Sequence, residues 1–570
     1  MLIQLATSFN HLPVEVNKVS GTRLLWRNKS ATENNEMSDD HFVDSYSWVT
    51  TNNIFSDKCK NYQSITQTMF AERYGGFGIG TNGGGARVVN VGGTQIKGVG
   101  ANNLAGEGAL KSHSYGGLDI QGAMKEIIYS RLLNKISPVG AQHINGLILI
   151  DKTSALHNGK EAPSVLMVRE KVARPSHFLP CLNFRLKPEH RTIMRSDYSR
   201  VLGIYKSIGK QGLSEFYTQI QRFLDRSADQ LSFFRMARFS HNALTPSNIC
   251  MDGRVLDTAL CSFVISGSNY GHVTSFFEEP SIPALVAKEW FYLIKKFLTE
   301  TPLEEHFLNL YEDKLYQYSC VNVGFIFGLD REMSTKLSST PEWQKVSSKL
   351  ISLLSLGARI KTSVSPSANA ADFINDILTA SLYSILHNHK TDNAAVFLAE
   401  FICDLNSLIT IMGPSLSWHS QNLHGFLNTF AIQTIKRAVL SSYFFTTHIG
   451  GSVDDYCVTG NIYLTAEIIK EHDHTADWIY ENILSERCTI FSGNGVKIEY
   501  SSVVDEYLYC GQDGQHKCIN DIHVLRYIID INKNDYTVQN YNFYPYLRRL
   551  FALLDGDAIN SFSGVRNVFC

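Results

Sequence analysis

Asn248 and Asp257 stand nine residues apart in HNALTPSNICMDGRVLD, and a lysine, Lys97, lies far upstream behind seven glycines between Gly75 and Gly85. These residue types suit a polyphosphate. Glycines let backbone N–H groups approach phosphate oxygens, a lysine offsets their charge, and an Asn oxygen with an Asp carboxylate suits Mg²⁺. Lys97 sits in TQIKGVG, a largely apolar stretch bounded by glycine, where a buried ammonium is costly unless paired. Glu126, 29 residues on within a helical pattern, is the expected partner. The competing reading is an edge-strand lysine facing solvent.

The glycine run alone reads sooner as a surface turn than as a phosphate loop, since no G-K-[ST] follows it and it does not open directly into a helix. Gly84 and Arg87 are its candidates for phosphate contact. The segment from His241 to Asp257 carries more. A loop there returns through MDGRVLD, with Asp-Gly as the turn of a hairpin-like pair. The competing reading has Asn248 capping a turn and Asp257 ending a strand. Between His241 and Asn248 there is no carboxylate, so no general base is on hand to take a proton from a hydroxyl nucleophile.

The elements that must position these residues follow from periodicity. ARVVNV and TQIKGV read as short strands joined by a Gly-Gly turn, and INGLILID and SVLMVREKV as two more. From Asp119 a helical pattern puts Ile120, Met124, Ile127 and Ile128 on one face and stops at Pro138. The first 60 residues read as polar apart from TRLLWRN. After about residue 185 the texture is helical, interrupted by VLDTALCSFVI, and the last 120 residues are mixed. The expected fold class is α+β: a strand-rich region over 1–165, a helical region over 166–330 carrying the metal loop, and a mainly helical region over 331–570.

The 570 residues are 44% hydrophobic and 19% charged, enough to bury a large core, and the formal net charge of −2 offers no basic excess for nucleic acid or an anionic membrane. Eleven cysteines without a CxxC pair, and no secretory signal or long apolar run, point to a cytoplasmic protein with reduced thiols.

At these residues the chain resembles the selenoprotein O family, kinase-fold proteins that transfer AMP onto protein side chains. TRLLWRN, GGARVVNVG, IKGVG, MKEII, VREKVARPSH and FSHNALTPSNICMDGRVLD each resemble a family segment, over roughly residues 20–300. The resemblance implies a protein-kinase-like two-lobed fold that binds ATP and Mg²⁺. It places Gly84 and Arg87 on the nucleotide, Lys97 on phosphate with Glu126 as its ion-pair partner, and metal contacts on Asn248 and Asp257. The phosphate arginine is Arg169 by preference, with Lys171 and Arg174 left open by an insertion. The sequence departs from the family at Ser247, where an aspartate is expected, at Ala86 in place of a glycine, and at FLPC, which lacks a second arginine.

Two functions follow. One is AMP transfer to a protein, peptide or small-acid acceptor. A carboxylate acceptor suits the missing base because it is already ionised at neutral pH, and the resulting acyl-adenylate would fit the tailoring of a peptide or bacteriocin. The other is a kinase-fold pseudoenzyme, a nucleotide-binding scaffold or a partner subunit of another protein. Two lesser readings complete the set. EHDHTADW reads as a solvated loop sooner than a metal site. Cys570, placed like the family's terminal selenocysteine or cysteine, reads as a free thiol sooner than as a tether to Cys261.

Overall fold

The computed structural model describes residues 9–29, 37–50, 62–109, 116–155, 161–187, 197–298, 303–355, 361–362, 372–388, 396–415, 423–458 and 461–556. Eight antiparallel strands come first: β1 (His11–Val19), β2 (Arg23–Arg27), β3 (Trp48–Thr50), β4 (Tyr62–Glu72), β5 (Val88–Val91), β6 (Thr94–Lys97), β7 (Ile144–Ala155) and β8 (Glu161–Glu170). They form one sheet in the order β2-β7-β8-β6-β5-β4-β1-β3. β1 and β2 are six places apart in that order, roughly 29 Å laterally in a flat sheet. Yet the chain from Val19 to Arg23 reaches at most about 14 Å. The sheet must therefore curl until its two ends approach.

The curl separates two faces. Val14, Val16, Met69, Ala71, Val89, Ile96, Ile148, Ile150, Leu166 and Val168 form a core on the concave side. Leu147, Val165 and Met167 face the other way and pack on α2 (Ile120–Ile136), which follows the short α1 (Asp39–Tyr46) in the chain. The strands around the Gly92-Gly93 turn pair as expected, Val88 with Lys97 and Val91 with Thr94. α2 begins where the sequence indicates: Asp119 caps it by accepting from the Gly122 N–H at 2.7 Å.

The helical region follows: α3 (Asp197–Gln211), α4 (Leu213–Ala237), α5 (Ile282–Leu298), α6 (Glu304–Asn322), α7 (Arg331–Leu337), α8 (Pro341–Ser355), α9 (Phe373–Leu386), α10 (Val396–Ser415), α11 (Leu423–Leu440), α12 (Thr446–Val458) and α13 (Thr465–Ile479). A two-stranded pair, β9 (Phe239–Ser240) with β10 (Ser262–Phe263), brackets the loop that carries Asn248 and Asp257. The chain is thus a mixed α+β protein, strand-rich at its N-terminal side and helical beyond. Among the described residues no helix is long and apolar enough to cross a membrane.

Several sequence expectations change. The first 60 residues hold β1, whose alternating LPVEV buries Leu12, Val14 and Val16 on one face, a period-2 signal overlooked among polar neighbours. The boundary at 165/166 falls inside β8, because that strand runs on to Glu170. Within residues 331–570, expected to be mainly helical with the last 120 residues mixed, there are also strands. β11 (Arg487–Gly493), β12 (Val496–Ser501), β13 (Glu506–Cys510) and β14 (His516–Ile519) form a four-stranded antiparallel sheet there, followed by α14 (Ile522–Ile531) and α15 (Tyr544–Asp555). EHDHTADW is helical, within α13, because Ile468, Ile469, His472, Ala476 and Ile479 recur on one buried face.

Candidate functional site

Register places the polar groups. Asn90 of β5, Gln95 of β6 and Arg169 of β8 are direct cross-strand neighbours, so their side chains share the face that α2 covers. Lys97, two residues from Gln95, shares that face by the period of 2. β6 lies between β5 and β8, so Lys97 is no edge lysine, and its side chain is 5% exposed.

Four of the residues singled out in the sequence converge here. Lys97 Nζ donates to Glu126 Oε2 at 2.6 Å and to Asp257 Oδ1 at 2.6 Å. Arg169 Nη1 donates to Glu126 Oε1 at 2.9 Å and to the same Asp257 Oδ1 at 2.8 Å. Gln95 Oε1 fixes the arginine by accepting from its Nε and Nη2 at 2.9 and 2.7 Å. Asp257, with 28% side-chain exposure, is the member that opens to the surface. Burial alone would raise its pKa. The ammonium of Lys97 and the guanidinium groups of Arg169 and Arg174 outweigh burial and hold it well below the usual carboxylate range.

The three basic candidates left open by the insertion separate cleanly. Lys171 turns away to His11 Nε2 at 3.1 Å, whereas Arg174 points inward beside Arg169. Arg174 Nη1 donates to the Ser247 carbonyl at 2.9 Å and lies 3.9 Å from Asp257 Oδ2, its Nη2 donates to Gln95 Oε1 at 3.3 Å, and its Nε has no partner in the protein. A buried guanidinium thus rests mainly on neutral carbonyls. Behind it, Glu72 accepts from Asn90 and Gln95 amides at 3.0 and 3.2 Å. The period of 2 from Lys97 would have found Gln95. Nothing local in the sequence marks Glu72.

The loop from His241 is built from below. Buried Glu279 accepts from Ser240 Oγ at 2.8 Å and from the backbone N–H groups of His241 and Asn242 at 3.1 and 2.7 Å. Burial pushes its pKa up to about 8 against those hydrogen bonds. The expected hairpin return is present: Ile249 pairs with Val255, and Leu256 N donates to the Asn248 carbonyl at 3.1 Å, bringing Asn248 beside Asp257. Arg254 grips Glu170 of β8 through two bonds of 2.7 and 3.0 Å, tying this hairpin to the sheet. Asp257 itself is left-handed, at φ 56° and ψ 49°, a conformation that Asp tolerates better than most residues. Asn248 spends its amide N–H on the Ala243 carbonyl at 2.8 Å, which leaves its oxygen with only a long 3.4 Å contact from Ser247 Oγ.

Gly84 and Arg87 do not join this group. Gly84 is bridged to Arg73 and has φ +126°, and a Cβ there would meet Glu72 O and Tyr74 N at 2.6 Å. Arg87 donates to the Gly117 carbonyl at 3.2 Å. The front of the glycine run instead presses on the loop after His241: a Cβ at Gly78 would lie 2.4 Å from Thr245 Cγ2, and one at Gly76 3.2 Å from Pro246. Among the described residues no three His, Cys, Asp or Glu side chains are grouped to hold a metal. His472 is occupied by Tyr443 Oη at 2.8 Å, and His474 by Ser492 Oγ at 3.0 Å. Cys261 is fully buried and burial raises its thiol pKa, both unfavourable to disulfide exchange. Cys570 lies outside the described residues.

No protein-family model matches the chain, and no curated protein matches its sequence.

Proposed function

We propose that the cluster of Lys97, Arg169, Arg174, Asn248 and Asp257 binds ATP with Mg²⁺ and that the protein transfers AMP to an acceptor carboxylate on a protein, peptide or small acid. Arg174 carries this reading: a buried guanidinium whose Nε has no partner in the protein, and which meets Asp257 Oδ2 only at 3.9 Å, fits an anionic ligand. In support, a glycine-rich turn, a lysine on the third strand of the run and a glutamate on the next helix are ordered as in the kinase fold. The selenoprotein O resemblance rests on the same positions and on Asn248 and Asp257.

Lys97, Arg169 and Arg174 would hold the phosphates. Asn248 and Asp257, both hard oxygen donors, would hold Mg²⁺, which when bound neutralises phosphate charge. Ser247 and Thr245 hydroxyls bond each other at 2.9 Å where a base would stand, so an acceptor needing no deprotonation suits the loop.

A nucleotide-binding scaffold or partner subunit is the second reading. What favours it is Asp257, whose Oδ1 is shared by Lys97 and Arg169. The two part on incubation with ATP labelled at the α- or γ-phosphate. Label carried from the α-position onto an acidic acceptor, with pyrophosphate released, supports transfer. Mg²⁺-dependent thermal stabilisation without turnover supports the scaffold. No stabilisation and no label transfer would sink both.

A further inference from the structure

Glu126 reaches Lys97 from one side of α2; the opposite side is held by the C-terminal region. Arg131 and Lys135 lie roughly 140° and 180° around the helix from Glu126. Arg131 Nε donates to Asp473 Oδ2 at 2.6 Å, and Lys135 Nζ pairs with Asp477. Both partners are on α13, and both pairs are spaced i, i+4, so the two helices are joined by a two-rung ladder. Three more contacts brace α2. Tyr129 Oη donates to the Phe444 carbonyl at 3.0 Å just before α12. On α12, Gly450 leaves room for Lys125, whose Nζ would be 3.2 Å from a Cβ there. On the site side, Thr258 Oγ1 donates to the Glu126 carbonyl at 2.9 Å, one residue after Asp257.

We propose that Asp473 and Asp477 are positioning residues of the nucleotide site: they act through Arg131 and Lys135 to keep α2, and with it Glu126, against Lys97. The inference rests on the assignment of Lys97 and Glu126 to that site. It gives residues 331–570 a part in the site without touching a ligand. The remaining contacts of the two cations are to uncharged groups and leave the ladder standing: Arg131 also reaches Asn28 Oδ1 at 3.5 Å and lies 5.7 Å from the Trp26 ring, and Lys135 donates to the Asp473 carbonyl at 3.3 Å.

The readout is the reactivity of Lys97 toward an amine-reactive ester, measured by peptide mass spectrometry on the full chain without nucleotide. Asp473→Arg puts two guanidinium groups together and should raise Lys97 labelling by roughly two- to fivefold, the range that the coupling of a half-exposed pair allows. Arg131→Glu with Asp473→Arg restores opposite charges and should bring labelling back toward wild type. If Asp473→Arg does not fold, Asp477→Ala removes the outer rung with a smaller rise in the same direction. Wild-type labelling in folded Asp473→Arg, or a rise that the charge swap fails to reverse, overturns the proposal. No nucleotide enters this assay, so the ladder is tested even in a chain that fails to bind ATP.

Discussion

Removing the lysine and removing its glutamate should not cost the same stability. In Lys97→Met, both carboxylates keep Arg169 Nη1, at 2.9 Å from Glu126 and 2.8 Å from Asp257. The loss is two charge-assisted hydrogen bonds, offset by a buried apolar side chain of similar length, and should come to about 1–3 kcal/mol. In Glu126→Gln, Lys97 and Arg169 lose their most deeply buried counter-charge and keep Asp257, whose Oδ1 they already share, as the remaining carboxylate. Two buried cations left with one carboxylate between them should cost about 3–5 kcal/mol, the range seen when one partner of a buried pair is removed. Urea unfolding followed by tryptophan fluorescence at neutral pH gives both shifts on the same scale. The reasoning fails if Lys97→Met is the more destabilised of the two.

Other outcomes follow from the same contacts. Arg174→Ala should weaken Mg²⁺-ATP binding about tenfold or more while Lys171→Ala leaves it near wild type, as titration calorimetry would show; a stronger effect at Lys171 reverses the assignment. Glu279 has a folded-state pKa of about 8 against an ordinary 4.5. Its contribution is therefore fully present below pH 4.5 and lost as pH rises through 8. Stability against pH should decline across that window in the wild type and flatten in Glu279→Gln, at a lower level throughout because an amide N–H would confront a backbone donor. Gly84→Ala should destabilise by more than about 1 kcal/mol, since its φ of +126° and the 2.6 Å approach to Glu72 O leave no room for a methyl group. A neutral result there would mean that the turn relaxes.

Much of the site was legible because its chemistry is written in local patterns. Lys97 stood out as a charge in a buried strand, and Asn248 and Asp257 as a fixed spacing around an Asp-Gly turn. The helix with Glu126 announced itself by its apolar face and its Asp119 cap. Among Arg169, Lys171 and Arg174 the sequence favours Arg169 but leaves the others open, because the insertion between VRE and PSH hides which side chain returns to the sheet; the register of β8 on β6 sets Arg169 beside Gln95. Glu72 and Glu279 join the group only through partners 18 or more residues away, a distance at which periodicity says nothing. Gly84, a candidate phosphate contact in the sequence, has its positive φ where it bridges Arg73 at the end of β4, a pairing that the glycine run does not announce.

The curl of the eight-stranded sheet has a practical meaning for anyone shortening this chain. Residues 11–50 supply β1 and β3 at one end and β2 at the other, so the N-terminal segment works as a hoop around strands that begin later in the chain. Trimming it would strip both rims together, leaving β4 and β7 with unpaired backbone groups and an opened apolar lining. Such a fragment would retain every residue assigned to phosphate and metal, and would be expected to self-associate through those bare rims.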